Sequence, residues 1–304
     1  MTKNGDEIME LRVLQYFLAV AREQSISAAA ASLYLSQPTL SRQLRDLEEE
    51  LGKPLFIRGK RKITLTEEGM ILRKRAEEII SLVRKAEDEI SVSDETVSGG
   101  VYIGAGETDA IRYIAKAAKA VQNKYPEVHF HIASGDAADV TERLDKGLID
   151  FGILIGNIDT ARYNSMEIPA KDIWGVLMRK DSELAEKESI TAEDLWDKPL
   201  IVPRQAVQRN EFKQMMKCEL SSLNITATCN LIYNGSKMVE EGMGYAITLD
   251  KLINCTGSEI CFKPITPQFT AGMSIVWKKY QVFSKASEKF IEALKDIQAV
   301  KHSL

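Results

Sequence analysis

The sequence contains no long hydrophobic run and no apolar segment near its first residue. Its opening residues, MTKNGDEIMEL, are mostly polar. No stretch of the chain approaches the roughly 18 to 20 apolar residues that a membrane-spanning helix needs. A secretory signal also requires an apolar segment near the N-terminus. These absences predict a cytoplasmic protein that does not bind a membrane.

Cysteine and histidine are scarce, with four and three residues in a chain of 304. His129 and His131 alternate on one predicted strand and could share a metal ion, but no third ligand stands nearby in the sequence. The cysteines lack the paired spacing of zinc sites, and they are Cys218, Cys229, Cys255 and Cys261. The sequence therefore predicts no metal site, and free thiols in a reducing compartment.

A glycine-containing segment after a predicted strand fails the requirements of a nucleotide-binding loop. The segment 104–109 begins like a dinucleotide fingerprint, but Asp109 stands where the third glycine is needed and would face a pyrophosphate. The chain also lacks a recognisable pairing of a nucleophile with a general base. We therefore predict no cofactor, no catalytic residues and no enzymatic activity.

Positive charge is concentrated in one short segment, although the whole chain carries a net charge of −4. A local basic patch on an acidic chain favours a localised contact with phosphates over non-specific binding by the whole protein surface. Two β-type runs, 55–57 and 63–65, flank the patch and predict a hairpin, which we call the wing. Between Leu51 and Thr66 there is no acid, and the cations are Lys53, Arg58, Lys60, Arg61 and Lys62.

The segment before the wing has the pattern of a helix-turn-helix. A first Ala-rich helix is predicted over 28–33, and Ser36 with Pro38 can open a second helix. The second helix has an apolar stripe at helical spacing, formed by Leu40, Leu44, Leu47 and Leu51. Short amides, hydroxyls and guanidinium groups at the start of such a helix suit base edges and phosphates. The residues off the stripe are Gln37, Thr39, Ser41, Arg42 and Arg45.

A heptad pattern follows in the segment 70–90. Apolar residues recur at alternating spacings of four and three, which is typical of a helix that pairs with another helix. The alternative is that this stripe packs on its own domain. We favour dimerisation because the predicted helix is long and lies between two domains. The candidate dimerisation residues are Leu72, Ala76, Ile79, Val83, Ala86 and Ile90.

Beyond a polar hinge that ends in paired glycines, strands and helices alternate. The pattern predicts strands at 101–105, 128–133 and 151–155, with helices at 110–124 and 138–146. A second alternation runs over about 173–249, with strands near 176–178, 200–202, 227–232 and 246–249, before a strand at 273–277 and a helix at 284–300. Two α/β subdomains with a return crossing leave a cleft between them.

From its helix-turn-helix onward, the chain resembles the LysR-type transcriptional regulators. The resemblance rests on LRVLQYF at 11–17, on 27–31 and 35–51, on GKPLFIR at 52–58 and on LTEEG at 65–69. It implies that the residues matching Gln37, Pro38, Thr39, Ser41 and Arg42 approach bases and phosphates, and that Arg58 and Arg61 act from the wing. Our full candidate set for DNA binding is Ser36, Gln37, Pro38, Thr39, Ser41, Arg42, Arg45, Arg58, Arg61 and Lys62.

The resemblance also implies an architecture and a set of partners. We expect an α/β protein with a winged helix-turn-helix at 9–65, a linker and dimerisation helix at 66–92, and a periplasmic-binding-protein-like (type 2) effector domain at 93–304. Residues 1–8 are expected to be a disordered extension. Subdomain I would span about 98–163 and 268–304, and subdomain II about 164–267. The expected partners are double-stranded promoter DNA, a small-molecule effector, RNA polymerase and the chain itself, as a dimer and a tetramer.

The effector should contact loops at the carboxyl ends of strands, where helix N-termini present free N–H groups. In the LysR family these loops usually offer hydroxyls to a carboxylate, but Gly106 and Ala137 stand at two such positions. Glu107 and Asp109 add negative charge there, so we expect an effector with an amine or without net charge. The candidate effector-binding residues are Gly106, Glu107, Thr108, Ser134, Asp136, Arg204, Gln205, Asn234 and Lys237.

The predicted function is a transcriptional regulator that binds pseudo-palindromic promoter DNA and is switched by a small molecule in the cleft. One alternative is a redox-sensing regulator that uses the cysteines of the second subdomain. Another is a cytoplasmic solute-binding module or enzyme with a vestigial helix-turn-helix. The residues at 37–42 still form a complete surface for contacting DNA bases, which argues against a vestigial helix-turn-helix.

Overall fold

The structure is a computed structural model that describes residues 9–59, 62–90, 97–156, 158–205 and 210–302. The chain forms two compact units, Met1–Ser91 and Val92–Leu304. The predicted extension at 1–8 and most of the predicted hinge, 91–96, lie outside the described residues. None of the helices in the described ranges is long and apolar enough to cross a membrane.

The N-terminal unit is a winged helix-turn-helix followed by one long helix. The wing strands pair antiparallel, with Phe56 opposite Leu65. A side-chain cap begins the second helix of the helix-turn-helix as the sequence predicts: Ser36 accepts a hydrogen bond from the Thr39 N–H at 3.3 Å. The elements are α1 (Leu11–Glu23), α2 (Ile26–Ser32), α3 (Gln37–Leu51), β1 (Phe56–Arg58), β2 (Ile63–Leu65) and α4 (Glu67–Ile90).

The apolar stripe of α3 forms the centre of this unit's core. Its buried members, Leu40, Leu44 and Leu47, are 0–2% exposed and pack with Phe17 of α1. Burying each such side chain stabilises the fold by roughly 1.5–3 kcal/mol relative to exposure. Leu51, the last position of the predicted stripe, is 39% exposed at the helix end. The stripe therefore fixes which face of α3 remains in solvent.

The wing is anchored to the helices by specific polar contacts. The Glu48 carboxylate on α3 accepts hydrogen bonds from the backbone N–H groups of Leu55 and Phe56 at 2.7 and 3.1 Å. The first turn of α4 approaches the wing so closely that a Cβ on Gly69 would overlap the Leu55 carbonyl oxygen. Gly69 is thus required by a close backbone approach.

Helix α4 has two parts with different surroundings. Ala76 is fully buried in the core of its own unit, with Leu72 packed against it. These two positions of the predicted dimer seam therefore contribute to the core of the winged domain, because the first turns of α4 lie against α1. Further along, Ile79 is 37% and Ile90 is 82% exposed. This second part of α4 therefore has an uncovered apolar face, and in the first turns of α4 Met70 and Ile71 are also exposed, at 57% and 63%.

The C-terminal unit is built on one continuous sheet with helices packed on it. Its strand order is β4-β3-β5-β11-β6-β9-β7-β8, and β10 also pairs with β6. The strands are β3 (Gly99–Ala105), β4 (Val128–Ser134), β5 (Phe151–Ile155), β6 (Tyr163–Arg179), β7 (Leu200–Pro203), β8 (Ile225–Cys229), β9 (Tyr245–Leu249), β10 (Ile260–Pro264) and β11 (Thr270–Lys278). The helices are α5 (Ile111–Lys124), α6 (Ala137–Asp145), α7 (Asn210–Met216), α8 (Ile232–Glu240) and α9 (Lys285–His302).

Strand β6 joins two α/β subdomains within this unit. Its residues up to Ile173 pair antiparallel with β11, and its residues from Trp174 pair with β9 and β10. Subdomain I has β3 parallel to β4 and β5, and subdomain II has β7 parallel to β8 and β9. The change of partners at Ile173 lies ten residues beyond the expected boundary at 163, since one uninterrupted strand serves both subdomains.

The segment 227–237 differs from the predicted strand and the loop expected after it. Strand β8 ends at Cys229, and α8 begins at Ile232, so Asn234 and Lys237 lie within a helix instead of a loop. The Asn–Gly pair at 234–235 is a typical turn signal. Here Gly235 is buried in a helix, where an added Cβ would lie 3.2 Å from the Cys229 Sγ. Close helix-to-strand packing explains this glycine.

Candidate functional site

Helix α3 presents a polar, solvent-facing surface at its N-terminal end. Gln37, Pro38 and Thr39 are exposed, Ser41 is half-buried, and Ser36 serves as the cap. Because the buried leucines lie on the opposite side, Gln37, Pro38 and Thr39 face the solvent. A free helix face of this composition can enter a major groove and donate or accept hydrogen bonds at base edges.

Guanidinium groups continue this surface along α3. The Arg42 side chain is 82% exposed, and its Nε lies 3.9 Å from the Asp46 carboxylate one turn on. An exposed pair at that separation is weak, so Arg42 can exchange Asp46 for a phosphate or a guanine edge. Arg45 is also exposed and has no acidic partner among the described residues.

The wing adds cations beside this helix. Arg58 ends β1 and Lys62 precedes β2, and both are exposed. The Gly59 N–H donates to the Lys62 carbonyl oxygen at 3.1 Å and closes the hairpin. Arg61, the third candidate in the wing, lies outside the described residues. Four of the five candidate cations thus lie within the described residues: Arg42 and Arg45 on α3, and Arg58 and Lys62 in the wing.

A cavity of about 390 Å³ lies between the two subdomains of the C-terminal unit. A volume of this size is within the range of small-molecule sites. The cavity collects the carboxyl ends of β3, β4, β7 and β8, as the alternation of strands and helices predicts. Of the nine candidate effector-binding residues, those that line it are Gly106, Glu107, Asp136, Arg204 and Gln205.

The other four candidates lie outside the cavity lining. Ser134 is exposed at the end of β4. Asn234 and Lys237 are exposed on α8, where the Lys237 ammonium pairs with Glu240 at 2.9 Å. Lys237 therefore does not offset the acids of the cavity. Thr108 is 4% exposed and is directed into the protein.

Thr108 links the first cavity loop to the strand that joins the subdomains. Its hydroxyl donates to the Asp172 Oδ2 at 2.7 Å and accepts a hydrogen bond from the Ala110 N–H at 3.0 Å. Asp172 is 1% exposed. Burial raises the pKa of Asp172, while the hydrogen bonds from Thr108 and the Asp109 N–H oppose the shift. Thr108 thus compensates a buried carboxylate on β6.

Asp136 and Arg204 meet across the cavity. The Arg204 Nε donates to the Asp136 Oδ2 at 2.9 Å, and its Nη2 also contacts that oxygen. Asp136 at the same time caps α6 by accepting from the N–H groups of Ala138 and Asp139 at 3.0 and 3.1 Å. Burial opposes ionisation of Asp136, but the Asp139 backbone and the Arg204 guanidinium outweigh it, so that its pKa is lowered. The carboxylate stays ionised and neutralises Arg204.

A second contact across the cavity involves Glu107. Its Oε2 accepts a hydrogen bond from the Ile232 N–H, the first backbone donor of α8. Glu107 belongs to the loop after β3 in subdomain I, whereas α8 belongs to subdomain II. Asp109, the other acid at this loop, pairs with Arg112 at 2.5 Å and is not part of the cavity lining.

Much of the cavity surface is apolar, and the sequence did not indicate these residues. Trp174 lies where β6 changes partners, and Phe212 and Met215 lie on α7. Phe269 comes from the segment before β11. They are distant in sequence and look like ordinary core residues. The one available signal was the position of Trp174 at the strand that connects the subdomains.

The cysteines show no sign of activation. All four are free. Burial raises the pKa of Cys229, with a further contribution from the Glu107 charge, and burial also raises the pKa of Cys255 and Cys261. A raised pKa lowers the thiolate fraction and hence the reactivity of a thiol. No group of three or more metal-ligating residues occurs in the described part of the chain.

Comparison with known families identifies both units. Residues 11–70 match the family described as "Bacterial regulatory helix-turn-helix protein, lysR family". Residues 94–299 match the family described as "LysR substrate binding domain". The chain belongs to the LysR family of bacterial transcriptional regulators. As a LysR-type regulator it combines a helix-turn-helix DNA-binding domain with an effector-binding domain, which confirms the predicted family, fold class and general function.

Individual relatives agree with this assignment. The chain is 33% identical to the HTH-type transcriptional regulator BsdA of Bacillus subtilis (strain 168) over 247 residues, which cover 79% of this chain and 83% of BsdA. It is 34% identical to the regulator IlvY of Escherichia coli (strain K12) over 145 residues, 48% of this chain and 49% of IlvY. Both relatives are transcriptional regulators by name.

Solved structures support the same fold. Full-length CbnR in complex with its target DNA matches with a TM-score of 0.71 and 21% identity, covering 95% of this chain and 99% of CbnR. At this level of identity the likeness supports the architecture of the chain. The target DNA in that crystal structure is bound by CbnR.

Proposed function

We propose that this LysR-type regulator binds pseudo-palindromic promoter DNA through the N-terminal face of α3, with the wing on the neighbouring backbone. The observation that carries the proposal is the exposure of Gln37, Thr39 and Arg42 on a helix whose other face is buried. Phosphate contacts fix the position of a protein on DNA, and base contacts give specificity. Arg58, Arg61 and Lys62 would supply the phosphate contacts.

Self-association follows from the same DNA geometry. A pseudo-palindromic site is matched by a two-fold symmetric dimer. The second part of α4 offers Ile79, Val83, Ala86 and Ile90 for such a dimer, whereas Ala76 is already buried. We propose a homodimer through this face and its pairing into a homotetramer, acting in the cytoplasm with RNA polymerase as a further partner.

The effector is proposed to bind in the cavity between the subdomains. Two contacts bridge this cavity, Glu107 with the Ile232 N–H and Arg204 with Asp136. A ligand that competes with or reinforces either contact changes the relative stability of the open and closed cavity. Such a differential affinity is what shifts a two-state equilibrium.

The redox alternative is less favoured. A redox-sensing cysteine needs a low pKa and access to oxidant. Burial instead raises the pKa of Cys229, Cys255 and Cys261. The raised pKa also makes Cys229, the cysteine that lines the cavity, a poor nucleophile.

A mobility-shift experiment tests the proposed function. The full chain is titrated onto the DNA upstream of its own gene and onto a shuffled fragment of equal length. The proposal predicts a complex that unlabelled promoter fragment displaces and shuffled fragment does not. Equal displacement by both fragments would leave only non-specific, charge-driven binding and would contradict sequence recognition.

A further inference from the structure

The groups in the cavity that an anion would use are already bound to carboxylates of the chain itself. Arg204 is the one cation among the described lining residues, and its guanidinium contacts Asp136. Asp136 also accepts hydrogen bonds from the Ala138 and Asp139 N–H groups in the first turn of α6, and Glu107 accepts one from the Ile232 N–H at the start of α8. Helix N-termini and guanidinium groups are the usual anion-binding devices of proteins. In this cavity Arg204, the first turn of α6 and the start of α8 each contact a carboxylate of the chain itself.

The charge of the lining therefore disfavours a further anion. The charged lining residues in the described chain are Glu107, Asp136 and Arg204, which together carry a net charge of −1. An incoming carboxylate would have to displace Asp136 or Glu107 from its donors. The displaced acid would then remain in a partly buried site beside a like charge, which is costly where water is scarce.

The remaining surface favours an apolar molecule that can offer a positive or neutral polar group. Trp174, Phe212 and Phe269 present aromatic surface to the cavity, which can cover a ring system. One oxygen of Glu107 accepts from Ile232, and no described residue donates to its other oxygen. An ammonium or amide N–H could satisfy that oxygen without breaking the contact with α8.

We propose that the cavity selects an apolar ligand that is neutral or singly positive, and that it excludes anions because Glu107 and Asp136 already occupy its anion-binding groups. This inference rests on the proposed function, since it names the ligand class of the effector cavity. It places Glu107 as the residue that contacts the polar group of the ligand. Asp136 acts indirectly, by keeping Arg204 neutralised.

A charge series on one ring system tests the inference. The full chain is titrated calorimetrically with 2-naphthylmethylamine, 2-naphthamide and 2-naphthoate, which share a ring system and differ in charge. We expect the amine and the amide to bind, and the carboxylate to bind about tenfold more weakly or worse, given the cost of like charges at short range. A carboxylate that binds as tightly as the amide overturns the inference. So does the absence of binding by all three compounds.

Two conservative variants locate the cause of the selectivity. Asp136→Asn removes the charge that neutralises Arg204 but retains a good helix cap, and Glu107→Gln retains an acceptor for the Ile232 N–H. Each variant should tighten 2-naphthoate binding by about tenfold, and Glu107→Gln should weaken the amine. Glu188→Gln is the matched control, because it removes the same charge from an exposed residue outside the lining. If a variant fails to fold, the relative affinities of the wild-type chain for the three compounds decide whether the cavity excludes anions.

A failure of the proposed ligand class can be distinguished from a failure of the proposed function. The same preparations are assayed for promoter binding by mobility shift. Sequence-specific DNA binding with a preference for 2-naphthoate would overturn only the ligand class. A charge preference as expected without sequence-specific DNA binding would overturn the proposed function and leave the cavity's selectivity standing.

Discussion

We predict that the hydrogen bond between Thr108 and Asp172 stabilises the C-terminal unit by a measurable amount. Thr108→Val keeps the shape of the side chain but removes the donor at 2.7 Å from the buried Asp172 carboxylate and the acceptor of the Ala110 N–H. Losing a hydrogen bond to a charged group costs about 1.5–3 kcal/mol. For a domain of this size, each kcal/mol lowers the melting temperature by roughly 2–4 °C. We therefore expect a decrease of about 3–12 °C at pH 7.

The pH dependence of this loss has a definite sign. Burial raises the folded-state pKa of Asp172 above its ordinary value of 3.8. An acid with a raised pKa costs stability when it is ionised, and that cost disappears as the pH falls through the folded-state pKa. The Thr108 hydroxyl favours the ionised form, so its removal raises the pKa further. The difference in melting temperature between variant and wild type should therefore narrow from pH 7 to about pH 4, near the ordinary pKa of 3.8 that the folded-state pKa exceeds.

Differential scanning calorimetry at both pH values measures the effect. Thr226→Val serves as the control, because the Thr226 hydroxyl donates to the neutral Leu200 carbonyl oxygen at 3.1 Å. Its loss should be smaller and independent of pH. An unchanged melting temperature for Thr108→Val, or a loss of equal size at both pH values, would refute the account of Asp172 as an ionised, Thr108-compensated carboxylate.

Three further predictions concern the N-terminal unit. Gly69→Ala should lower the thermal stability of that unit by several degrees, measured by calorimetry, because the added Cβ overlaps the Leu55 carbonyl oxygen; an unchanged transition would show that the contact relaxes freely. Val83→Glu should weaken dimerisation in sedimentation velocity by placing a charge on the α4 face, and an unchanged oligomer would refute the proposed interface. Lys62→Ala should weaken binding to all DNA sequences and reduce the salt slope by roughly one unit, whereas a sequence-dependent loss would assign Lys62 to base contact.

The architecture of the DNA-binding unit could be predicted from the sequence because local signals agree there. The cap at Ser36, the apolar stripe of α3 and the turn chemistry of the wing all indicate the same structure. The α4 seam was only partly predictable. A heptad pattern does not show whether an apolar stripe packs against a partner helix or against the core of its own unit. Ala76 lies in the core of its own unit.

The cavity was predictable in position but not in its lining. Alternating strands and helices place loops at the carboxyl ends of the parallel strands in each subdomain, and Glu107, Asp136 and Arg204 lie there as expected. Thr108 was misplaced because a hydroxyl at a helix start looks the same whether it faces a ligand or a buried acid. The aromatic lining depends on how subdomain II packs around β6, and such long-range contacts leave no local pattern. The contacts that join Glu107 with α8 and Asp136 with Arg204 likewise depend on the tertiary structure.

A matched pair of arginine variants tests most directly whether α3 reads DNA sequence. Arg42 on α3 and Arg73 on α4 both form an i,i+4 pair with an acid, and their side chains are 82% and 53% exposed. Fluorescence anisotropy gives the affinity of wild type, Arg42→Ala and Arg73→Ala for the promoter fragment and for the shuffled fragment. We predict that Arg42→Ala weakens promoter binding by about 1–3 kcal/mol, or roughly 5- to 150-fold, and lowers the preference for promoter. Arg73→Ala should leave that preference unchanged. An unchanged preference in Arg42→Ala, or an equal loss in both variants, would contradict recognition by α3.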